Sequence, residues 1–487
     1  MKTEDLLSGV KIKTVIGKLP QEIFSLEDNS EKVTENCLFF CIKGNNKDGA
    51  DFAPRAVARG AKLIVCERIT KSAGVCTVVV DDVKEAEAVI CKNFYRNPQD
   101  DMQIVGVVGT NGKTSTCRIL SEIFERAGYE TGTIGTLGVT YGSVFEQTGL
   151  TSLGLLDLYK TLAKMRDSGV EVVFTEVSAH AIYQRRVEGI YFECLIFTNC
   201  TEDHLDYFHD FDTYKTVKKS IFTAENCKYA VICSDDSVGR EILRETDAKT
   251  VTYGINEPAD VFAVNLNQSV NGISFVINLF DMIYELQSPL IGVCNAYNVL
   301  ASCACAAVIG VRLYKIAGAL KNMKPVSGRA EFITEYNGGK VYLDYAHTPD
   351  GLKRTLSSFR KICDGKLICL FGCGGNREKE KRPVMGEISA ALADFTVITT
   401  DNPRYEDPCA IINEIEVGVR KISREYVTIA DRKEAVKYAL TMLGKGDLLV
   451  VAGKGAETYQ EIMGVKHDFA DADVIKQFVK EMQGELG

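Results

Sequence analysis

The stretch Ile104-Val105-Gly106-Val107-Val108-Gly109-Thr110-Asn111-Gly112-Lys113-Thr114-Ser115-Thr116 decides how the chain is read. An apolar run suited to a buried strand stops at a Gly-Thr-Asn-Gly turn. Lys113, Thr114 and Ser115 follow, and then Ile119, Leu120, Ile123, Phe124 and Ala127 recur at helical spacing. Strand, glycine turn, lysine and helix together form a phosphate cradle: Gly109 and Gly112 let backbone N–H groups approach phosphate oxygens, and Lys113 adds a point charge. The Thr114 hydroxyl can sit on Mg²⁺. The spacing departs from the usual G-x-x-x-x-G-K-[ST], because Val107 stands five residues before Gly112. The strand–loop–helix context carries the reading.

Other strand ends carry polar groups. Glu176-Val177-Ser178-Ala179-His180 follows Val172-Val173-Phe174, which places a carboxylate beside the phosphate loop, where it can hold Mg²⁺. Thr198 to Tyr207 is dense with metal-capable groups; His204 is a candidate ligand or phosphate contact, and Asp203 is open to reading as a helix cap. Tyr214 to Phe222 looks on composition like a solvated basic helix face, which gives Lys218 no special role. Further on, Asp344-Tyr345-Ala346-His347-Thr348-Pro349-Asp350, Phe371 to Arg377, Asp401-Asn402-Pro403-Arg404 and Gly453-Lys454-Gly455-Ala456-Glu457 each follow an apolar strand candidate. Arg377 can clamp a carboxylate or phosphate, and Asp401 with Arg404 suits a zwitterion. Four polar loops on one edge of an α/β unit suggest a substrate cleft.

With 487 residues, two to four domains are expected. Three α/β regions are expected: 1–98, 99–325 and 326–487, the first bounded by Asn97-Pro98. In the first, Leu38 to Ile42 and Lys62 to Cys66 read as strands, and Phe52 to Arg59 as a helix ended by Gly60. In the second, strand candidates Val170 to Val177, Leu195 to Asn199 and Tyr229 to Cys233 imply a largely parallel sheet. Asp260 to Leu290 suggests an added antiparallel hairpin, and Ala296 to Ile309 a helix. In the third, Val341 to Leu343, Leu367 to Phe371, Thr396 to Thr399 and Leu448 to Ala452 read as strands.

The composition, 46% hydrophobic and 25% charged, is that of a soluble globular protein, and the net charge of −9 argues against a general nucleic-acid binder. No apolar run reaches the ~18 residues that span a membrane, and no basic, apolar N-terminal segment suggests secretion. The 17 scattered cysteines are expected as reduced thiols in a cytoplasm, and the five histidines are too dispersed for a zinc cluster.

Taken together the motifs resemble the Mur ligase family nearly end to end. They are Gly109 to Thr114, Glu176 to His180, Asp203 to Asp206, Tyr214 through Lys218 to Phe222, Asn295 to Asn298, Gly328-Arg329, Asp344 to Pro349, the Arg377 loop, Lys381-Arg382-Pro383, Asp401 to Arg404 and Gly453 to Glu457. The resemblance is strongest to the branch that adds the third peptide residue to UDP-N-acetylmuramoyl-L-alanyl-D-glutamate. It implies three domains: a small UDP-binding α/β domain, a central P-loop ATPase domain with a mostly parallel sheet, and a C-terminal Rossmann-like domain. It implies a cytoplasmic monomer in peptidoglycan synthesis, with ATP and Mg²⁺ as cofactors. ATP phosphorylates the D-glutamyl γ-carboxylate, an amine attacks the acyl phosphate, and phosphate leaves.

The resemblance also assigns residues. Lys113 and the loop Gly109, Thr110, Asn111, Gly112, Thr114 and Ser115 hold phosphates. Thr114 and Glu176 are Mg²⁺ ligands, His204 serves a second Mg²⁺, and Lys218 is the family's carbamylated lysine. Asn295 and Asn298 lie where the family contacts adenine, and Arg329 and Asp344 where the C-terminal domain meets the nucleotide. Ser30, Asn45, Asn46 and Lys47 map to the UDP end; Thr151, Ser152, Ser178, Gln184 and Arg186 map to the muramoyl dipeptide. Arg377, Asp401, Asn402, Pro403, Arg404, Gly453 and Glu457 map to the amino-acid pocket. The Asp-Asn-Pro-Arg form is the one associated with meso-diaminopimelate, whose far carboxylate Arg404 would pair with; the ammonium of L-lysine would be repelled.

The chain departs from the family pattern at Glu31, Leu150, Leu153, Ala179, Ala456 and Ala472. These departures motivate an alternative: a paralogous ligase for another amine and acceptor, such as an L-lysine-adding or specialised-pathway enzyme. A non-catalytic nucleotide-binding subunit is a third reading, opposed by the intact Lys113, Glu176, His204 and Lys218.

Overall fold

A computed structural model describes residues 1–44, 47–69 and 74–484. Three α/β layers follow one another along the chain. The first is a five-stranded sheet in the order Ile12–Ile16, Cys76–Val80, Ala61–Cys66, Cys37–Phe40, Ser25–Glu27, parallel except for its first strand. The helical stretch expected from Phe52 divides into a 3₁₀ turn, Gly49–Phe52, and a helix, Ala53–Ala58.

The second sheet has eleven strands. Its centre runs Lys249–Gly254, Cys227–Cys233, Phe192–Phe197, Gln103–Val108, Val172–Val177, Thr131–Gly135, all parallel. The middle three, Phe192–Phe197, Gln103–Val108 and Val172–Val177, are almost wholly buried, which is why they read as continuous apolar runs rather than alternating ones. Gln103–Val108 lies at the point where the strand order reverses, between Phe192–Phe197 and Val172–Val177. Both neighbours align their last residues with Val108. Three sequence-distant loops therefore leave the sheet side by side, at the position where open α/β sheets bind ligands.

The expected hairpin within Asp260 to Leu290 is a three-stranded meander, Val261–Ser269, Gly272–Leu279 and Met282–Ser288. The extra strand escapes the sequence pattern for a physical reason: its second half is polar and mostly exposed, and a register shift between Val264 and Asn267 breaks its alternation.

The third sheet, Glu331–Tyr336, Gly339–Asp344, Leu448–Ala452, Leu367–Phe371, Phe395–Ile398, Tyr426–Thr428, is parallel apart from its first strand. Its strand ends put the loops after Asp344, Phe371, Ile398 and Ala452 on one edge. A small hairpin, Tyr459–Ile462 with Val465–Asp468, is attached beside them. One apolar core runs without a break from Leu6 and Leu63 in the first layer to Leu156, Phe197 and Ile242 in the second. The third layer has cores of its own on the two faces of its sheet. Fully buried Arg432 and Asp471 are paired there at 2.8 and 2.9 Å, so Asp471 keeps a partner although Ala472 follows it.

Candidate functional site

The phosphate loop is shaped by its glycines. Gly109 has φ +157° and packs so tightly that a Cβ there would lie 1.9 Å from Thr198 Oγ1. Lys113 opens the helix Lys113–Ala127 and donates to Gly109 O and Thr110 O at 2.7 and 2.9 Å, so its ammonium lies over the loop. Burial pushes its pKa down. Thr114 Oγ1 donates to Glu176 Oε1 at 2.9 Å, and Thr136 N donates to the same oxygen at 2.8 Å. Glu176 is buried, and among the described residues it forms no ion pair.

Lys218 overturns the solvated-face expectation. On the helix Phe211–Lys219, Tyr214 and Lys218 lie four residues apart and share the buried side. Lys215 and Lys219 turn outward to pair with Glu241. Lys218 is 1% exposed; its Nζ donates to Thr110 Oγ1 at 2.6 Å and lies 4.0 Å from the Tyr214 ring centroid. Burial brings its pKa down to about 7. His204 stands just before the helix Leu205–Phe208 with φ +57°, its Nε2 3.6 Å from Asp203 Oδ2. Asp203 Oδ1 accepts from His204 N at 2.9 Å. Burial lowers the pKa of His204.

A cavity of about 290 Å³ opens between the second and third layers. Asn111, Gly112, Ser115, Asn295 and Asn298 line it from one side, and Arg329 and Asp344 from the other. Asn298 Nδ2 donates to Asn295 Oδ1 at 3.1 Å, and Asn295 Nδ2 to Ile291 O at 2.8 Å, which fixes both amides. Arg329 lies over the Tyr345 ring, 4.5 Å from its centroid, and its Nη2 donates across the layers to Thr114 Oγ1 at 3.2 Å. Asp344 accepts from Ala330 N, Ala346 N and Thr355 Oγ1 at 2.8, 2.9 and 3.0 Å; burial nevertheless raises its pKa. The cavity also holds residues the sequence reading did not single out: Asp235, Asn256 and Arg354. Asp235 follows the strand Cys227–Cys233, so the strand-end rule that found Glu176 could have found it too.

A second cleft, about 110 Å³, adjoins the first, and Tyr345 and His347 line both. Asp203 and His204 reach it from the second layer. The third layer contributes Arg377, Asp401, Asn402, Arg404, Gly453 and Glu457, together with Glu378 and Lys381. Pro403 is buried in its loop and lines neither cleft. Gly453 has φ +106°, and a Cβ there would sit 2.6 Å from Asp401 Oδ2. Fully buried Lys454 donates to Asn402 Oδ1, Glu457 Oε2 and Tyr459 O at 3.2, 2.9 and 2.6 Å.

The residues expected at the muramoyl dipeptide are hydrogen-bonded to one another and to Glu176 and Thr136. Ser152 Oγ donates to Glu176 O at 2.8 Å and lies 3.1 Å from Ser178 Oγ. Arg186 Nη1 donates to Ser152 O at 3.0 Å and its Nε to Gln184 Oε1 at 2.9 Å. Thr151 Oγ1 is 3.1 Å from Thr136 Oγ1. Ser30 and Lys47 sit in the first layer and line neither cleft; Asn45 and Asn46 fall outside the described residues. At the departures, Glu31 pairs with Arg55 at 3.2 Å on the surface, Leu150 is exposed, and Leu153 and Ala179 are buried.

Family models match all three layers: "Mur ligase family, catalytic domain" over residues 23–96, "Mur ligase middle domain" over 107–306, and "Mur ligase, glutamate ligase domain" over 328–455. A UDP-N-acetylmuramoyl-L-alanyl-D-glutamate–2,6-diaminopimelate ligase of Clostridium acetobutylicum is 39% identical over 485 residues, 99% of this chain and 100% of its own. The chain is a Mur ligase. It is therefore an ATP-dependent, ADP-forming enzyme. A Mur ligase of the same description from Halalkalibacterium halodurans is 40% identical, with 99% of both chains covered. A solved structure of a ligase of that description superposes with a TM-score of 0.72 at 27% identity over 99% of each chain. The Thermotoga maritima MurF ligase, solved in complex with ADP, shares the fold: TM-score 0.62, 20% identity, 95% of this chain and 98% of its own.

Proposed function

We propose that this Mur ligase joins meso-diaminopimelate to UDP-N-acetylmuramoyl-L-alanyl-D-glutamate, with ATP converted to ADP and phosphate, and that it acts as a cytoplasmic monomer in peptidoglycan synthesis. Residues 1–98 serve the UDP end, 99–325 the ATP and 326–487 the amino acid. One observation carries the reading: a cleft holding Arg377, Arg404 and Glu457 opens directly beside the cavity at the phosphate loop, with Tyr345 and His347 shared. Whole-length identity to ligases of that description supports it.

The chemistry asks for charge neutralisation more than for a protein nucleophile. The γ-phosphoryl group passes from ATP to the glutamyl carboxylate, and ADP leaves. The amine then attacks the acyl carbon, a proton is lost from nitrogen, and the C–O bond to phosphate breaks. Lys113 and the loop amides hold the phosphates in place, and Ser152, Ser178, Gln184 and Arg186 hold the acceptor. Asn295, Asn298, Arg329 and Asp344 seat the nucleotide. Arg377, Asp401, Asn402, Arg404, Gly453 and Glu457 orient the incoming amine.

The residues present fit Mg²⁺. Glu176 is a buried carboxylate without an ion pair among the described residues, and the Thr114 hydroxyl beside it is a second hard oxygen donor. Thr114 and Glu176 would hold one ion; His204, with Lys218 as its carbamate, would hold another. The metal supplies neutralisation of the transferring phosphoryl charge.

The test is phosphate release from ATP and the UDP-muramoyl dipeptide with meso-diaminopimelate or L-lysine. Release with meso-diaminopimelate and not with L-lysine is expected. Release with L-lysine alone would assign the alternative, and no release with either amine would overturn the proposal.

A further inference from the structure

The Asp401–Arg404 loop is braced from outside as well as by its own Asp401 Oδ1, which accepts from Asn402 N at 2.6 Å. Arg404 has φ +51°, a left-handed backbone that residues other than glycine adopt at a cost. The hairpin Tyr459–Ile462 with Val465–Asp468 clamps it there. Arg404 N donates to Glu461 O at 3.0 Å, and Met463 N donates to Arg404 O at 2.7 Å. The same strand holds the rest of the loop: Gln460 Nε2 donates to Asp401 O at 2.7 Å, and Glu461 N to Asn402 Oδ1 at 2.9 Å.

The hairpin also reaches the guanidinium. Glu461 Oε2 lies 3.3 Å from Arg404 Nε, while Arg404 Nη1 donates to Gly375 O at 2.7 Å. A guanidinium is a rigid fork of N–H donors; with one Nη1 hydrogen on Gly375 O and the Glu461 charge at ion-pair distance from Nε, the remaining donors stay available to the cleft that Arg404 lines. The anchoring matters because that cleft is rich in competing carboxylates: Asp203, Asp206, Glu378, Asp401 and Glu457. Without the Glu461 charge, a guanidinium held only at Gly375 O is free to swing its other donors toward one of them, and a ligand carboxylate would then have to displace it.

We propose that Glu461 is a positioning residue for amino-acid selection: it holds the Arg404 guanidinium where the far carboxylate of a diamino diacid meets it. The proposal rests on the functional reading above and adds to it the residue that sets the discrimination. Arg404 and Glu461 are each about a quarter exposed, at 24% and 23%. The pair is therefore partly screened, and its contribution lies in orientation more than in stability.

The experiment uses the full-length enzyme with Glu461→Gln, which keeps the shape and removes the charge, and Glu461→Lys, which reverses it. The KM for meso-diaminopimelate is expected to rise about three- to tenfold in the Gln variant and further in the Lys variant. The KM for ATP and the kcat at saturating amino acid are expected to hold. The preference in kcat/KM for meso-diaminopimelate over L-lysine should narrow by the same factor. An unchanged or lower KM, or a fall in kcat common to all substrates with selectivity intact, would overturn the proposal while leaving the functional reading standing. A wild-type enzyme that does not use meso-diaminopimelate at all would overturn both.

Discussion

Lys218 shows how little a residue's identity says until its surroundings are known. Lys215, Lys218 and Lys219 occur within five positions of one short helix. Two are paired at the surface, and the third is buried against Thr110 and Tyr214. Helical phase makes the difference: the apolar face that buries Tyr214 buries the residue one turn later. The composition of the segment suggested a solvated face, and the packed helix reverses that for one lysine alone. Carbamylation of Lys218 is testable without turnover. Enzyme equilibrated with ¹³C-bicarbonate is expected to show one carbamate carbonyl signal that Lys218→Arg lacks; a signal unchanged in the variant would refute the assignment.

At the scale of elements, the helix Val83–Phe94 of the first layer packs against Leu155–Asp167 of the second, and Glu87 lies between them fully buried. Its Oε2 accepts from Lys84 Nζ at 2.8 Å, whereas Oε1 has no hydrogen-bond partner among the described residues. Burial raises its pKa from 4.5 to about 7; the Lys84 charge opposes the shift and the nearby Asp28 adds to it. The folded protein therefore keeps a proton that the unfolded chain releases from about pH 4.5 upward. Stability falls as pH rises between those values, and the loss is complete above about 7. Glu87→Gln is expected to stabilise the protein relative to wild type by about 1–3 kcal/mol more at pH 8 than at pH 4.5. Thermal unfolding across that range checks it, and parallel pH profiles for the two proteins would refute it. The same scale marks what was legible. Buried parallel strands such as Leu367–Phe371 and Leu448–Ala452 were readable because both faces are covered. The bulged, half-exposed Val261–Ser269 was not, because no face of it keeps a period of two.

At the scale of the molecule, the phosphate loop is joined to the third layer by a few polar contacts. Asn111 is held on all sides. Its N donates to Asn199 Oδ1 at 3.0 Å, its O accepts from Thr198 Oγ1 at 2.7 Å, and its Nδ2 donates to Asp350 Oδ2 at 3.1 Å. Arg354 pairs with Asp350 at 2.8 Å, and Arg329 reaches Thr114. The contact between the layers and the shape of the loop therefore run through the same residue. Asn111→Ala and Asp350→Ala should each raise the KM for ATP, and the double variant should be no worse than the poorer single one, a coupling of about 1 kcal/mol. Strictly additive effects would show that the contact carries no such linkage.

The sequence by itself determined the chemistry on offer: a glycine turn ahead of Lys113, carboxylates and guanidinium groups at strand ends, and enough ordered motifs to mark the family. Such signals are local, since backbone conformation and donor type are set by neighbouring residues. Tertiary structure alone decided which of these groups meet. Strand order set Glu176 and His204 beside the phosphate loop, helix packing buried Lys218, and an appended hairpin put Glu461 against Arg404. Those proximities join residues tens to hundreds of positions apart, and only the closing of sheets and cores fixes them.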